Sequence, residues 1–155
     1  LLDGGRRLAA VAGRQGTSGD RIGHPDALGA AYEARLPASR RRSQGSHYTA
    51  PALADRLSAL AIAGPAAVCD PACGGGAFLL AAGRRLESLG VERRHVARHL
   101  LWGADIDPEA VATTGAAVEA WAGVAPDAGH LVVADSLASD PPGWTGRFGV
   151  VLGNP

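Results

Sequence analysis

The chain has no methionine, not even at its first position, and all 15 of its basic residues are arginine. Reading frames open on methionine, so these 155 residues are expected to be cut from a longer one. Only two cysteines occur, Cys69 and Cys73, too few for a disulfide framework or a four-ligand zinc site. Both are expected to be small buried residues. No apolar run approaches the roughly 20 residues of a membrane helix, and Leu1-Leu2-Asp3-Gly4-Gly5 lacks the charged and apolar regions of a signal peptide. The reading is cytoplasmic, with no membrane partner. An excess of one charge is missing too, because 15 acidic residues balance the 15 basic ones. That neutrality excludes a general electrostatic footprint for nucleic acid, so any such surface is local or lies outside these residues.

What is present fits one globular domain of ordinary size, 46% hydrophobic and with 22 glycines. Residues 1 to 24 are rich in glycine and arginine and read as a loop or disordered leader. From Asp26, the residues Leu28, Tyr32 and Leu36 recur every four positions, which predicts a helix that Pro37 ends. Residues 39 to 46, with Arg40-Arg41-Arg42, form a polar connection. A second helix begins at Thr49 or Ala50, with Pro51 in its first turn and Leu53, Leu57 and Leu60 on one face, and runs to about Ala63.

Beyond it, apolar runs and helical patterns alternate. Strands are predicted over 66–70, 100–106, 130–135 and 148–152. Helices are predicted over 76–89, 92–99 and from Asp107-Pro108 to Trp121, while Ser136 to Arg147 is loop-like. Strands separated by helices imply parallel pairing through right-handed crossovers, the doubly wound α/β architecture. Asp70, Asp105, Asp135 and Asn154 then share the carboxyl edge of the sheet, where open α/β sheets bind ligands.

The loop Asp70-Pro71-Ala72-Cys73-Gly74-Gly75-Gly76-Ala77-Phe78 joins strand to helix. Its successive glycines let backbone approach a ligand without side-chain obstruction, and the helix start offers free N–H groups. A dinucleotide fits poorly, because Leu79 stands where the fingerprint needs its last glycine and Asp70 would repel a pyrophosphate. An adenosine bearing a positive charge suits the loop better. Asp105 is placed to accept hydrogen bonds from both ribose hydroxyls, and Asp135 from an adenine amine. Asp107 reads more simply as a helix cap. S-adenosylmethionine carries all the matching parts.

Taken in order, five segments resemble the motifs of adenine-specific (N6) DNA methyltransferases. They are Gly45-Ser46-His47-Tyr48-Thr49-Ala50-Pro51, the glycine loop, Gly103-Ala104-Asp105-Ile106-Asp107-Pro108, Ala134-Asp135-Ser136 and Gly153-Asn154-Pro155. The resemblance is closest to the restriction-modification group, in which the Tyr-Thr motif precedes the glycine loop. Leu28-Gly29-Ala30-Ala31-Tyr32-Glu33 looks like that group's N-terminal helix.

This resemblance implies an α/β, Rossmann-like S-adenosylmethionine-dependent methyltransferase fold with an incomplete parallel sheet. Residues 1–46 would be a leader and helix with flexible linkers, and residues 47–155 the cofactor-binding half of the catalytic domain. It also implies that Tyr48 and Thr49 contact the methionine end of S-adenosylmethionine and that Asp70, Ala72, Gly74 and Gly76 form its loop. Asp105 would hold the ribose and Asp135 the adenine amine, while Asn154 and Pro155 would open the catalytic Asn-Pro-Pro-aromatic loop. The implied partners are double-stranded DNA, mostly through regions outside these residues, and a restriction or specificity subunit or domain.

Other readings remain open beside this one. Methylation of a different planar amine, such as a protein glutamine, would use the same catalytic loop. The chain could also be a truncated product, binding cofactor weakly or failing to fold; a sheet of four readable strands, where the resemblance implies about seven, would leave an apolar edge and favour association. The isolated chain is expected to be inactive and poorly soluble. His95 and His99 are four apart on a helix but have three arginines and no acid nearby, so no metal is assigned to them. Arg40-Arg41-Arg42 reads as a solvated loop, with phosphate contact as its alternative, and Trp102, Trp121 and Trp144 as packing residues.

Overall fold

The computed structural model describes residues 24–37, 49–136 and 138–154. The leader before residue 24, the arginine run at 40–42, Tyr48 and Pro155 lie outside the described residues.

Helix α1 spans Pro25–Arg35, and α2 spans Pro51–Ala61. Each starts on a proline in its first turn, where the missing N–H costs no hydrogen bond. Strand β1 (Val68–Asp70) is followed by α3 (Ala77–Ser88). Short α4 (Arg93–His95), capped by the Glu92 side chain, widens into a π-helical turn at Val96–Leu100 and leads to β2 (Leu101–Asp105). Helix α5 (Pro108–Ala122), β3 (Leu131–Val133) and β4 (Val150–Val151) complete the described elements.

The four strands form one parallel sheet in the order β3-β2-β1-β4. From β1 to β2 to β3 the chain steps in one direction, through α3 and then α5. A right-handed crossover keeps both helices on the same face. The step from β3 to β4 runs the other way, so the same handedness puts its connection on the opposite face. The order reverses between β1 and β4, and that reversal opens the crevice in which such sheets take ligands.

Alternate strand residues serve the two faces. Val68 and Leu101 join Leu79, Leu80, Leu86, Val96, Val118 and Trp121 in the main core under the helices. Cys69, Trp102 and Ala104 point the other way and meet Trp144 and Phe148 from the β3–β4 connection. That connection carries no helix among its described residues, so aromatic rings cover the sheet where a doubly wound fold usually places helices. Trp102 stands edge-on to Trp144 at 5.8 Å and stacks on His130 at 3.5 Å, and the Arg147 guanidinium lies 4.9 Å from its ring. All three tryptophans are buried packing residues, as their lack of pattern suggests.

One expectation needs correcting. The leucine face of α2 does not meet the core, for Leu53, Leu57 and Leu60 are exposed, Leu60 by 83%. The buried stripe is instead Ala54, Ser58 and Ile62, of which Ala54 packs with Phe78 and Ala81 of α3. Small residues let the two helices approach closely, and this contact outweighs the preference of the leucines for burial. Apolar side chains also emerge on both outer strands, at Val133 and Val151.

Candidate functional site

The glycine loop leaves β1 at the point where the strand order reverses. Asp70 closes the strand with an Asx turn, its Oδ1 accepting from the Ala72 N–H at 3.0 Å. The Cys73 N–H donates to the Ala104 carbonyl at 2.8 Å and so anchors the loop to β2. Gly74 and Gly76 have φ of 49° and 87°, left-handed conformations that side chains resist. Gly74 is held from both sides: its N–H donates to Asp105 Oδ2 at 2.9 Å, and its carbonyl accepts from the Thr114 hydroxyl of α5 at 2.9 Å.

Gly75 is also required by a close approach of α1. A Cβ on Gly75 would lie 2.6 Å from the Gly29 Cα, and one on Gly29 would lie 2.3 Å from the Gly75 carbonyl oxygen. The two glycines are the seat of α1 on the loop. The sequence places α1 in a leader with flexible linkers; here its Tyr32 hydroxyl also donates to Asp107 Oδ2 at 3.0 Å, and Arg35 reaches Glu109 at 3.0 Å. Arg84 of α3 joins Asp26 of α1 to Asp55 of α2. Glycine patterning within α1 was the available signal for this contact, but its partner Gly75 lies 46 positions away in the chain.

Each acid of the edge is placed differently. Asp105 accepts from the N–H groups of Gly74 and Asp107, both at 2.9 Å, so it braces the loop and the start of α5 together. Asp107 caps α5 through the Glu109 N–H at 2.9 Å, as its sequence context suggests. Asp135 is exposed past β3 and accepts from the Ala138 N–H at 3.2 Å, while its neighbour Ser136 donates to the Pro71 carbonyl. Leu152 continues the pairing of β4 with β1 through the Cys69 carbonyl at 2.9 Å, and brings Gly153 against Asp70. A Cβ at 153 would meet Asp70 Oδ1 at 2.7 Å, so only glycine fits there without displacement. Asn154 follows, exposed at the same edge. Thr49 lies half-buried just ahead of α2, and Ala72, Gly74 and Gly76 sit in the loop as the sequence order requires. Tyr48 and Pro155 are the two candidate site residues outside the described residues.

Residues 23–155 match the family described as N-6 DNA Methylase. The chain belongs to that family. Its members are DNA methyltransferases, and the match runs from the residues just before α1 through β4, so α1 lies within the matched span. No curated protein matches the chain. Among the described residues of this N-6 DNA methylase no helix is long and apolar enough to cross a membrane, and no group of histidine, cysteine and acidic residues could hold a metal ion. Asp127, remote in sequence, nevertheless stands 3.2 Å from His99 and 2.8 Å from Arg98, an acid the local sequence does not show.

Burial governs the titratable groups around the loop. Asp70 is 1% exposed, and burial pushes its carboxyl up to about 7; the Ala72 N–H opposes that rise and the Asp105 charge adds to it. Burial likewise holds the thiols of Cys69 and Cys73 well above their ordinary range, so both stay protonated and unreactive. Because the folded state binds a proton at Asp70 that the unfolded chain releases near its ordinary value of 3.8, stability falls as pH rises from about 4 to about 7. An Asp70→Asn chain keeps the acceptor for Ala72 but has no charge to bury. Its advantage over the parent in urea unfolding should grow across that interval, to something on the order of 4 kcal/mol, and level off above it. A constant difference between pH 4 and 8 would contradict this assignment.

Proposed function

We propose that the chain is the cofactor-binding half of an S-adenosylmethionine-dependent methyltransferase that modifies the N6 amine of adenine in DNA, as part of a restriction-modification system. The observation that carries this reading is the order of polar groups along the sheet edge. Asp70 and Asp105 end β1 and β2, and Asp135 and Asn154 lie just past β3 and β4, in the order β3-β2-β1-β4 around a glycine loop at the reversal point. The donor set fits the cofactor: carboxylates for the ribose and the adenine amine, beside a glycine loop that Asp105 and Thr114 hold in place from both sides of Gly74.

S-adenosylmethionine supplies a methyl group activated by its sulfonium. The residues of the chain bind and aim. Asp105 takes the ribose hydroxyls, Asp135 the adenine amine, and the backbone at Ala72, Gly74 and Gly76, with Tyr48 and Thr49, takes the methionine end. The amine of a target adenine has its lone pair delocalised into the ring. Hydrogen bonds from its two hydrogens to the Asn154 side-chain oxygen and the Pro155 carbonyl draw the nitrogen toward tetrahedral geometry and direct it at the methyl group. This is catalysis by positioning, with no covalent enzyme intermediate. The target base must leave the duplex to reach the site. Double-stranded DNA and a restriction or specificity subunit are the partners in this reading.

The test is nucleoside analysis of DNA from a bacterial host without adenine methylation that expresses the full reading frame containing this chain. N6-methyldeoxyadenosine is the expected product, lost by at least about 100-fold on Asn154→Ala, which removes a hydrogen bond made to the reacting amine. Methylation of cytosine instead, or an unchanged level in the variant, would refute the reading.

A further inference from the structure

Helix α1 brings a second acid to the glycine loop. Glu33 is half-buried, and its Oε1 lies 3.8 Å from the place a Cβ would occupy on Gly74. Together with Asp26, Gly29, Pro51, Gly75 and Ala77 it lines a shallow cleft, open to solvent and with room for a group about the size of one water, between α1, the start of α2 and the loop. Neighbouring acids are already engaged. Asp26 holds Arg84, Asp105 holds two backbone N–H groups, and Asp70 is sealed against Gly153. The Glu33 carboxylate has no hydrogen bond or salt bridge among the described residues, and burial alone pushes it upward. A half-buried carboxylate with no partner is unfavourable unless a cation or donor arrives.

We propose that Glu33 receives the α-ammonium group at the amino-acid end of the cofactor, so that α1 forms one wall of the cofactor site. This rests on the reading of the chain as an S-adenosylmethionine enzyme and assigns part of that site to a helix outside the loop. Three features converge on the ammonium. The cleft is bordered by Pro51, two residues past Thr49, and by the glycine loop, the two segments assigned to the methionine end. The polar side chains lining it, Asp26 and Glu33, are both acids, and only Glu33 is unengaged. A charged donor on an ionised carboxylate also makes one of the stronger hydrogen bonds open to a ligand.

The test is calorimetric binding of S-adenosylhomocysteine, which has the ammonium group, and of its desamino analogue, which lacks it, to the chain and to Glu33→Gln. Glutamine keeps the size of the side chain and removes its charge. The variant should bind S-adenosylhomocysteine about 10- to 30-fold more weakly and the desamino ligand within about twofold of the parent, as expected for the loss of one charge-assisted hydrogen bond. Unchanged affinity for S-adenosylhomocysteine would overturn the role of Glu33 while leaving the cofactor assignment intact. Equal losses for both ligands would mark Glu33 as a packing residue and also overturn it. Failure of the parent chain to bind either ligand would remove the cofactor reading, and this one with it.

Discussion

Gly29→Ala is expected to destabilise the chain by about 2–4 kcal/mol, although alanine is the better helix former. On an exposed helix the exchange would gain up to about 1 kcal/mol. Here the added carbon would sit 2.3 Å from the Gly75 carbonyl oxygen and 3.0 Å from its carbonyl carbon, and both are backbone atoms that no rotamer change can move aside. Helix and loop must separate by about an ångström, which is the overpacking case. The separation pulls on Tyr32–Asp107, Arg84–Asp26 and Arg35–Glu109 together, because all three bonds cross from α1 to its neighbours. Urea unfolding of the two chains decides the matter. A variant as stable as its parent would show that α1 does not rest on Gly75.

Asp105→Ala should weaken S-adenosylhomocysteine binding by about 100-fold or more, and Asp107→Ala by less than about 10-fold. The two acids are two residues apart and both lie near the loop, yet they hold different things. Removing the Asp105 carboxylate strands the N–H groups of Gly74 and Asp107, at about 1–3 kcal/mol for each unsatisfied donor, and takes away the proposed ribose acceptor as well. Without Asp105 the left-handed Gly74 loses one of its two anchors. Removing Asp107 deletes a helix cap worth about 0.5–2 kcal/mol, along with the Tyr32 bond, so its cost falls on stability more than on affinity. Calorimetric titration of both variants, with unfolding curves beside them, separates the two roles. Equal losses of affinity would undo the assignment of Asp105.

The glycine loop and the edge acids were legible because their signals are local. An acid and a proline before the glycines, a helix pattern after them, and an acid at the end of three apolar runs with Asn154 after the fourth are chain-neighbour facts. Asp107 as a cap needed only Pro108 beside it. The parallel sheet was legible for the same reason, since strands alternating with helices leave few topologies. The bracing of Gly74 by Asp105, the seating of Gly29 on Gly75 and the closeness of Gly153 to Asp70 were not. They join residues 31, 46 and 83 positions apart, and a glycine that makes room for another backbone reads the same as one that makes room for a ligand.

By itself, then, the amino-acid order determined the element types, the strand direction and the edge on which the polar groups gather, because turn chemistry and hydrophobic period act over a few residues. Only the tertiary structure decided which stripe of α2 is buried, what covers the second face of the sheet, and that α1 stands at the glycine loop. In α2 the small Ala54 and Ser58 win the interface from three leucines because helix separation is set by the partner helix α3. On the second face, Trp144 and Phe148 take the place of a helix because a right-handed return from β3 to β4 must cross there. Such outcomes depend on surfaces that exist only once the chain has folded back on itself, and no window of sequence contains both partners.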